Sequence, residues 1–436
     1  MQLTVRSLAL LIAGALPLGF AALWPPALPI ASGYFVVLLG LLIADVVLSP
    51  KRQHFELNRL CDSKLSLAAD NPIQVRLYNW SDRSVPVAIR DEFPAGFQAD
   101  LGQMAGVAAP RSELTLTYHL RPWRRGDYRF GDLNLRYRGR LGLIVRQERY
   151  PAAASVKVYP NLLDVRRYEL LARRGQLAEI GLRNVRVLGR GTEFERLRDY
   201  QPDDDYRRIN WKATARRGRP VSVEYETERS QNVVLMLDAG RLMATPIGPL
   251  AKLDYAVNTA LMLAYVAARL GDNVGLLAFA DRVDTYLPPR RGRRQFLTMI
   301  ETLYRLPAHL TEPDYNLAFR YFATHNRKRS LVVLFTDLID AETSRLLVGH
   351  IGALSPHHLA VCVAIADPTI TRLASASPTD SQSVYQRAVA EGLLDERRRA
   401  LEGMRRRGAI ALDVSAEHLT PTVINRYLEL KTRTRL

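Results

Sequence analysis

The chain opens on apolar residues almost without interruption. From Ser7 to Trp24 no charged residue occurs, and from Leu28 to Leu48 only Asp45 breaks a second apolar run. Each run is close to the ~20 residues a helix needs to cross the hydrocarbon core of a bilayer. The Pro-rich WPPAL between them is too short for anything but a turn. The pattern therefore predicts a transmembrane helical hairpin over residues 1–54, with spans near 7–24 and 28–48. Trp24 suits the interface at the turn. Arg6 precedes the first run, Lys51, Arg52 and Arg59 follow the second, and the turn carries no positive charge. The positive-inside rule then places both outer ends, and the remaining chain, in the cytoplasm. Asp45 reads as an interfacial carboxylate in preference to a proton-carrying site. The alternative for the first run is a cleaved signal peptide, which leaves the second span and its orientation intact.

Period-two alternation takes over from about Phe55. It runs through IQVRLYNW (Ile73 to Trp80), VPVAIRDEF, LTLTYHLRP (Leu114 to Pro122), YRFGDLNLRYRG (Tyr128 to Gly139) and the short SVKVYP that begins at Ser155. Several short strands separated by turn residues predict an antiparallel β-sandwich over residues 55–165. No cluster of catalytic residue types falls in it, and it reads as an interaction or spacer module.

From Asn232 the period changes again. Continuous apolar runs, NVVLMLDAG, NVGLLAFA, SLVVLFTDLID, HLAVCVAIAD and AIALDVSAEH, alternate with amphipathic stretches such as LAKLDYAVNTALMLAYVAARLG. NVGLLAFA and RVDTYLPP read as a hairpin, and helices are expected from Arg293 to Leu306 and within Ser375 to Arg407. Apolar strands separated by helices predict an α/β domain with a mainly parallel sheet over residues 231–436. The fold class is thus multidomain, with a segment over residues 166–230 left between the sandwich and the α/β domain.

Composition adds three constraints. The length of 436 residues suits two or three folded units. Lys and Arg number 61 against 44 Asp and Glu, for a net charge of +17. Beside a membrane anchor, an anionic leaflet is the simplest partner for that charge, an acidic protein comes next and nucleic acid last. Two distant cysteines, Cys61 and Cys362, make neither a disulfide framework nor a zinc site. No GxGxxG or GKS/T loop is present, so dinucleotide and P-loop chemistry are not indicated.

Candidate chemistry sits in two places. Strands ending in Asp238 and Asp337 put two carboxylates at the C-terminal edge of the sheet, where open α/β sheets bind ligands. Earlier, Gly189 to Glu228 reads GRGTEFERLRDYQPDDDYRRINWKATARRGRPVSVEYETE, with charges of both signs among Tyr200, Tyr206, Trp211 and Tyr225. Arginine forks beside Trp and Tyr suit docking to a protein. A self-contained network, in which Arg198, Arg207 and Arg216 satisfy Asp199, Asp204, Asp205 and Glu193, is the plainer reading. A nuclease reading of Asp203, Asp204 and Asp205 is weakened because adjacent residues of a strand face opposite ways and arginines flank them. No histidine stands beside these acids as a base, and His357 and His358 read as surface residues.

This block is similar to the bacterial domain-of-unknown-function fifty-eight family, often encoded beside MoxR-type AAA+ ATPases. The family's Arg-x-Tyr, Asp turn, Arg, Ile-x-Trp, Ala-Arg and acidic end are matched at Arg198, Tyr200, Asp204, Arg207 or Arg208, Ile209, Trp211, Ala215, Arg216 and Glu224. Asp203 replaces its common glycine. The α/β region resembles a von Willebrand factor A domain. That resemblance implies a metal-adhesion set in which Asp238, Thr311 and Asp337 match, while Gly240 and Leu242 stand where two serines are expected. With two hydroxyl ligands missing, Mg²⁺ is a poor fit and no cofactor is expected. The resemblance implies a membrane-anchored, non-enzymatic adaptor in the bacterial inner membrane that recruits a MoxR-type AAA+ ATPase for assembly or cell-envelope work. Its partner-binding residues would be Arg198, Tyr200, Asp204, Arg207, Arg208, Trp211 and Arg216. The competing expectation is a metal-dependent hydrolase or nuclease built on the clustered carboxylates.

Overall fold

The computed structural model describes residues 2–24, 26, 28–174, 190–201, 206, 209–227, 230–338 and 341–432. The chain divides into two compact units, Met1–Tyr159 and Pro160–Leu436.

The first unit begins with helices Val5–Leu23 and Leu28–Leu48. Leu28–Leu48 is long and apolar enough to cross a membrane, and Val5–Phe20 is a shorter apolar stretch. Thr4 caps the first helix by accepting from the Ser7 amide at 3.3 Å. The two helices touch where Tyr34 packs against Gly14, and the Tyr34 hydroxyl donates to the Leu10 carbonyl at 2.7 Å. The rest of the unit is β-rich. One sheet runs Phe55–Leu60, Asn71–Asn79, Ser112–Pro122 and Phe97–Ala99. A second runs Gln2–Leu3, Ile144–Tyr150, Leu133–Arg138, Val85–Asp91 and Met104–Ala108, and a third joins Lys64–Ser66, Ala154–Tyr159 and Gly126–Phe130. The expected alternation is realised in Asn71–Asn79, where Ile73, Val75 and Leu77 are fully buried and the residues between them face outward. The stretch Tyr128 to Gly139 is two strands in different sheets, because the chain turns at Gly131 and Asp132.

Two residues of this unit have roles that the pattern did not suggest. Arg59, counted above among the charges flanking the second span, is a core residue. Its side chain is buried and forks onto Asp91, with a third contact to the Ala152 carbonyl at 2.7 Å. Asp45 is buried at the end of its helix, and its carboxylate is taken up by backbone amides of one β-turn. Leu141, Leu143 and Ile144 donate to it at 2.6, 2.9 and 3.0 Å. Gly139 comes so close that an added Cβ would lie 2.5 Å from both carboxylate oxygens, so no other residue fits there. The Tyr137 hydroxyl donates to the Pro50 carbonyl at 2.9 Å and Arg146 to the Val46 carbonyl at 2.6 Å. The end of the apolar helix is thereby bonded directly to the sheet.

The second unit is built on a six-stranded mixed sheet. Its spatial order is Val283–Arg290, Asn273–Phe279, Asn232–Asp238, Ser330–Thr336, Leu359–Ala366 and Ile410–Ser415. All pairs are parallel except Val283–Arg290 against Asn273–Phe279, the expected hairpin at the edge. Numbered along the sequence, the strands lie in the order 3-2-1-4-5-6, so the direction of winding reverses between Asn232–Asp238 and Ser330–Thr336. A crevice opens at the carboxyl ends of strands at such a reversal. Val233 to Leu237 are fully buried, as strands covered on both faces must be. Cys362 lies wholly buried in the same core, and burial pushes its thiol up to about 12. Helices Lys252–Arg269, Arg293–Leu303, Tyr315–His325 and Ser381–Arg406 connect the strands. His358, read above as a surface residue, is buried against the Phe322 ring.

Candidate functional site

Asp238 and Asp337 end neighbouring strands at the reversal of winding, and both are buried. Asp238 Oδ1 accepts from the Gly240 amide at 2.8 Å. Its Oδ2 accepts from the Tyr315 and Thr336 hydroxyls, each at 2.7 Å, and these two hydroxyls are themselves 2.7 Å apart. Burial raises the Asp238 carboxyl above its usual range, and the charge of Asp337 adds to the rise. Opposing these, the three donors favour the ionised form.

Asp337 has a different environment. Lys252, with no exposed surface, donates from Nζ to Oδ2 at 2.7 Å. Arg397 donates from Nη1 to Oδ1 at 2.6 Å, and the Leu338 amide donates to the same oxygen at 2.8 Å. The network continues outward. Arg397 also holds Asp413 through Nε and Nη2 at 2.9 and 2.8 Å, and Lys252 lies 3.6 Å from Asp367. Desolvation lowers the Arg397 affinity for its proton, but Asp413 and Asp337 outweigh that and the net direction is upward.

These contacts decide whether the metal set implied by the resemblance fits. Among the described residues no group of three or more His, Cys, Asp or Glu side chains is placed to hold a metal ion. Gly240 cannot be a serine without movement, because a Cβ there would lie 2.9 Å from Pro313 Cδ and 3.1 Å from the Thr311 carbonyl. Thr311 is exposed, and its carbonyl is engaged by the Arg241 amide at 2.8 Å. The hydroxyls beside Asp238 belong to Tyr315 and Thr336. Arg241 pairs with Glu312 rather than with Asp238. Asp337 faces an ammonium and a guanidinium of its own chain where a divalent cation would need open oxygen ligands. The described residues around Asp238 and Asp337 do not fit the metal set that the resemblance implies.

The sequence located the two acids but not Lys252, Tyr315, Thr336 or Arg397, which complete the site. A signal for two of them was present. Lys252 shares the buried stripe of its helix with Ala256, Ala260 and Leu263, and Arg397 shares one with Ala390, Leu401 and Met404. A charged residue on an apolar stripe needs a buried partner.

The other candidate block is partly described. Asp204, Arg207 and Arg208, together with Asp203 and Asp205, lie outside the described residues. Arg198 lies in strand Arg190–Asp199, where it pairs with Ser222 of Val221–Thr227 in an antiparallel ribbon. The backbone amide of Tyr200 donates to the Pro220 carbonyl at 3.0 Å. Asn210 caps helix Trp211–Arg217 by accepting from the Ala213 amide at 3.0 Å, and Gly218 ends it with φ of 67°. On this helix Trp211 is 69% exposed and Arg216 is exposed, and the nearby Tyr206 is 65% exposed. Asp199, expected to pair with Arg198, Arg207 or Arg216, lies 3.0 Å from Arg219.

Residues 196–390 match the model of the family described as "Protein of unknown function DUF58". Two relatives carry the same likeness. An uncharacterised protein of Mycobacterium tuberculosis is 24% identical over 48% of this chain and 66% of its own length. The uncharacterised protein YeaD of Bacillus subtilis is 27% identical over 35% of this chain and 39% of its own. The chain thus spans less than two thirds of either relative. Among solved structures, the CARDB domain of a Pyrococcus furiosus protein overlaps 24% of this chain and 86% of that one, at 15% identity and a TM-score of 0.18. Proximal thread matrix protein 1 of the mussel byssus overlaps 47% of each chain, at 11% identity and a TM-score of 0.28. Neither overlap is close enough to bear on the fold.

Proposed function

We propose that the chain is a non-enzymatic, membrane-anchored adaptor that recruits a protein partner. In this reading helices Val5–Leu23 and Leu28–Leu48 form a transmembrane hairpin of the bacterial inner membrane. The β-rich region is a sandwich at the cytoplasmic surface, and the second unit is a von Willebrand factor A-like domain. The observation that carries the reading is the exposed face of helix Trp211–Arg217. A tryptophan 69% exposed stands there in the same short helix as Arg216, with Tyr206 close by in sequence. Trp, Tyr and Arg are the residue types that anchor protein interfaces, and monomer surfaces seldom leave a tryptophan so bare. The sheet edge supports the same direction, since its carboxylates are engaged by Lys252, Arg397, Tyr315 and Thr336. The resemblance stated above makes a MoxR-type AAA+ ATPase the expected partner.

Crosslinked membranes carrying the tagged chain test this, with a Trp211→Ala, Arg216→Glu variant beside the native protein. An AAA+ ATPase is expected with the native chain and at least tenfold less of it with the variant, since truncating a hot-spot Trp costs about 2–4 kcal/mol. Equal recovery from both would move the interface away from this helix. Divalent-metal-dependent hydrolysis by the purified chain, lost in Asp238→Asn, would overturn the adaptor reading.

A further inference from the structure

A second cluster of basic residues lies in the first unit, where both apolar helices meet the sheet. An open cleft of about 270 Å³ is lined by Arg6, Arg83, Arg138 and Arg140, with Pro50 and Leu141 among its other walls. Among the described residues no acidic side chain lines it. All four arginines are exposed, and none forms an ion pair among the described residues. Four positive charges around one cleft repel one another unless an anion enters it.

The position of the cleft says which anion. Arg6 belongs to the first turn of helix Val5–Leu23, and Pro50 follows the last turn of helix Leu28–Leu48. Arg140 and Leu141 belong to the turn whose amides bind Asp45. That bond holds the cleft at the level where the apolar helices end. Leu141 lines the cleft beside the arginines and is exposed, an apolar and basic mixture suited to the boundary between headgroups and acyl chains. From this juxtaposition we infer that the cleft is a binding site for the phosphate headgroup of an anionic phospholipid. The guanidinium forks clasp the phosphate oxygens, and Leu141 faces the acyl chains. The inference rests on the membrane reading proposed above. It explains why these arginines form no ion pair among the described residues while Arg59, in the same unit, is fully paired.

The test uses the full-length chain. Carbonate extraction of the native membranes comes first: release of the protein would overturn the membrane reading itself. Protein that resists extraction is purified in neutral detergent, given phosphatidylglycerol or phosphatidylcholine, and weighed by native mass spectrometry. Phosphatidylglycerol is expected to stay bound and phosphatidylcholine to leave. An Arg83→Gln, Arg138→Gln, Arg140→Gln variant is expected to lose the bound lipid, and single Arg140→Gln to bind it roughly fivefold more weakly. Arg129→Gln, elsewhere on the same unit, is expected to bind as the native chain does. Equal phosphatidylglycerol retention by the native protein and the Arg140→Gln variant would overturn the site while leaving the membrane reading in place. Displacement of the lipid by millimolar inorganic phosphate would also overturn it, in favour of a free-anion site.

Discussion

Lys252 is an ammonium with no exposed surface at the first position of a helix, where the helix dipole disfavours positive charge. It is tolerated because Asp337 meets it at 2.7 Å, and Asp337 in turn is tolerated because Arg397 meets its other oxygen. Removing one partner of a buried pair leaves an uncompensated charge, at a cost of about 3–5 kcal/mol. Lys252→Met is therefore expected to lower stability by that amount in denaturant unfolding. Adding Asp337→Asn should recover part of the loss, and a simple sum of the two single effects would show that the pair is not coupled. Asp238 behaves in the opposite way. Its folded carboxyl is raised by burial, so the folded state holds the proton more tightly than the unfolded chain does. By linkage, wild-type stability relative to Asp238→Asn should fall as pH rises above about 3.9, the unfolded value, and level off above the raised folded value. A pH-independent difference between the two would mean that Asp238 titrates normally. The acids themselves were legible because each ends an apolar run. Their partners were harder to see, because they come from a helix start and a helix interior distant in sequence.

At the scale of elements, runs of apolar residues predicted the strands of the second unit closely, since burial on both faces leaves little choice of residue. The β-rich unit was less legible. Met104–Ala108 is interrupted by Gly106, and Ile144–Tyr150 carries four consecutive polar residues from Arg146 to Arg149, so neither shows a two-residue apolar period. Both lie in one sheet, which supplies their burial through cross-strand neighbours rather than through their own composition. The joint between helix Leu28–Leu48 and its turn was invisible for a related reason. One carboxylate satisfies three backbone donors, and backbone donors leave no mark on a sequence. Asp45→Ala would leave those donors without an acceptor, at about 1–3 kcal/mol each. Trypsin should then cut the detergent-solubilised variant faster after Arg138 or Arg140 than it cuts the native chain. An unchanged rate would show that the turn is held by its other bonds, such as Tyr137 to Pro50.

At the scale of the molecule, the net charge of +17 misleads if spread evenly. Lys252, Arg59 and Arg397 are consumed inside the fold, whereas Arg6, Arg83, Arg138 and Arg140 gather in one cleft with no ion pair among the described residues. Total charge therefore said little about partners until burial sorted the cations. The change to continuous apolar runs at Asn232 coincides with the first strand of the six-stranded sheet, because strands covered on both faces admit few polar residues.

The buried cation of the sheet edge has one more consequence. A counter-ion that belongs to the chain is supplied once, at synthesis, in fixed proportion to the acid it serves. It cannot be stripped by a chelator, nor replaced by a competing ion. The charge balance that Lys252 and Asp337 make at the sheet edge is therefore indifferent to the supply of free magnesium.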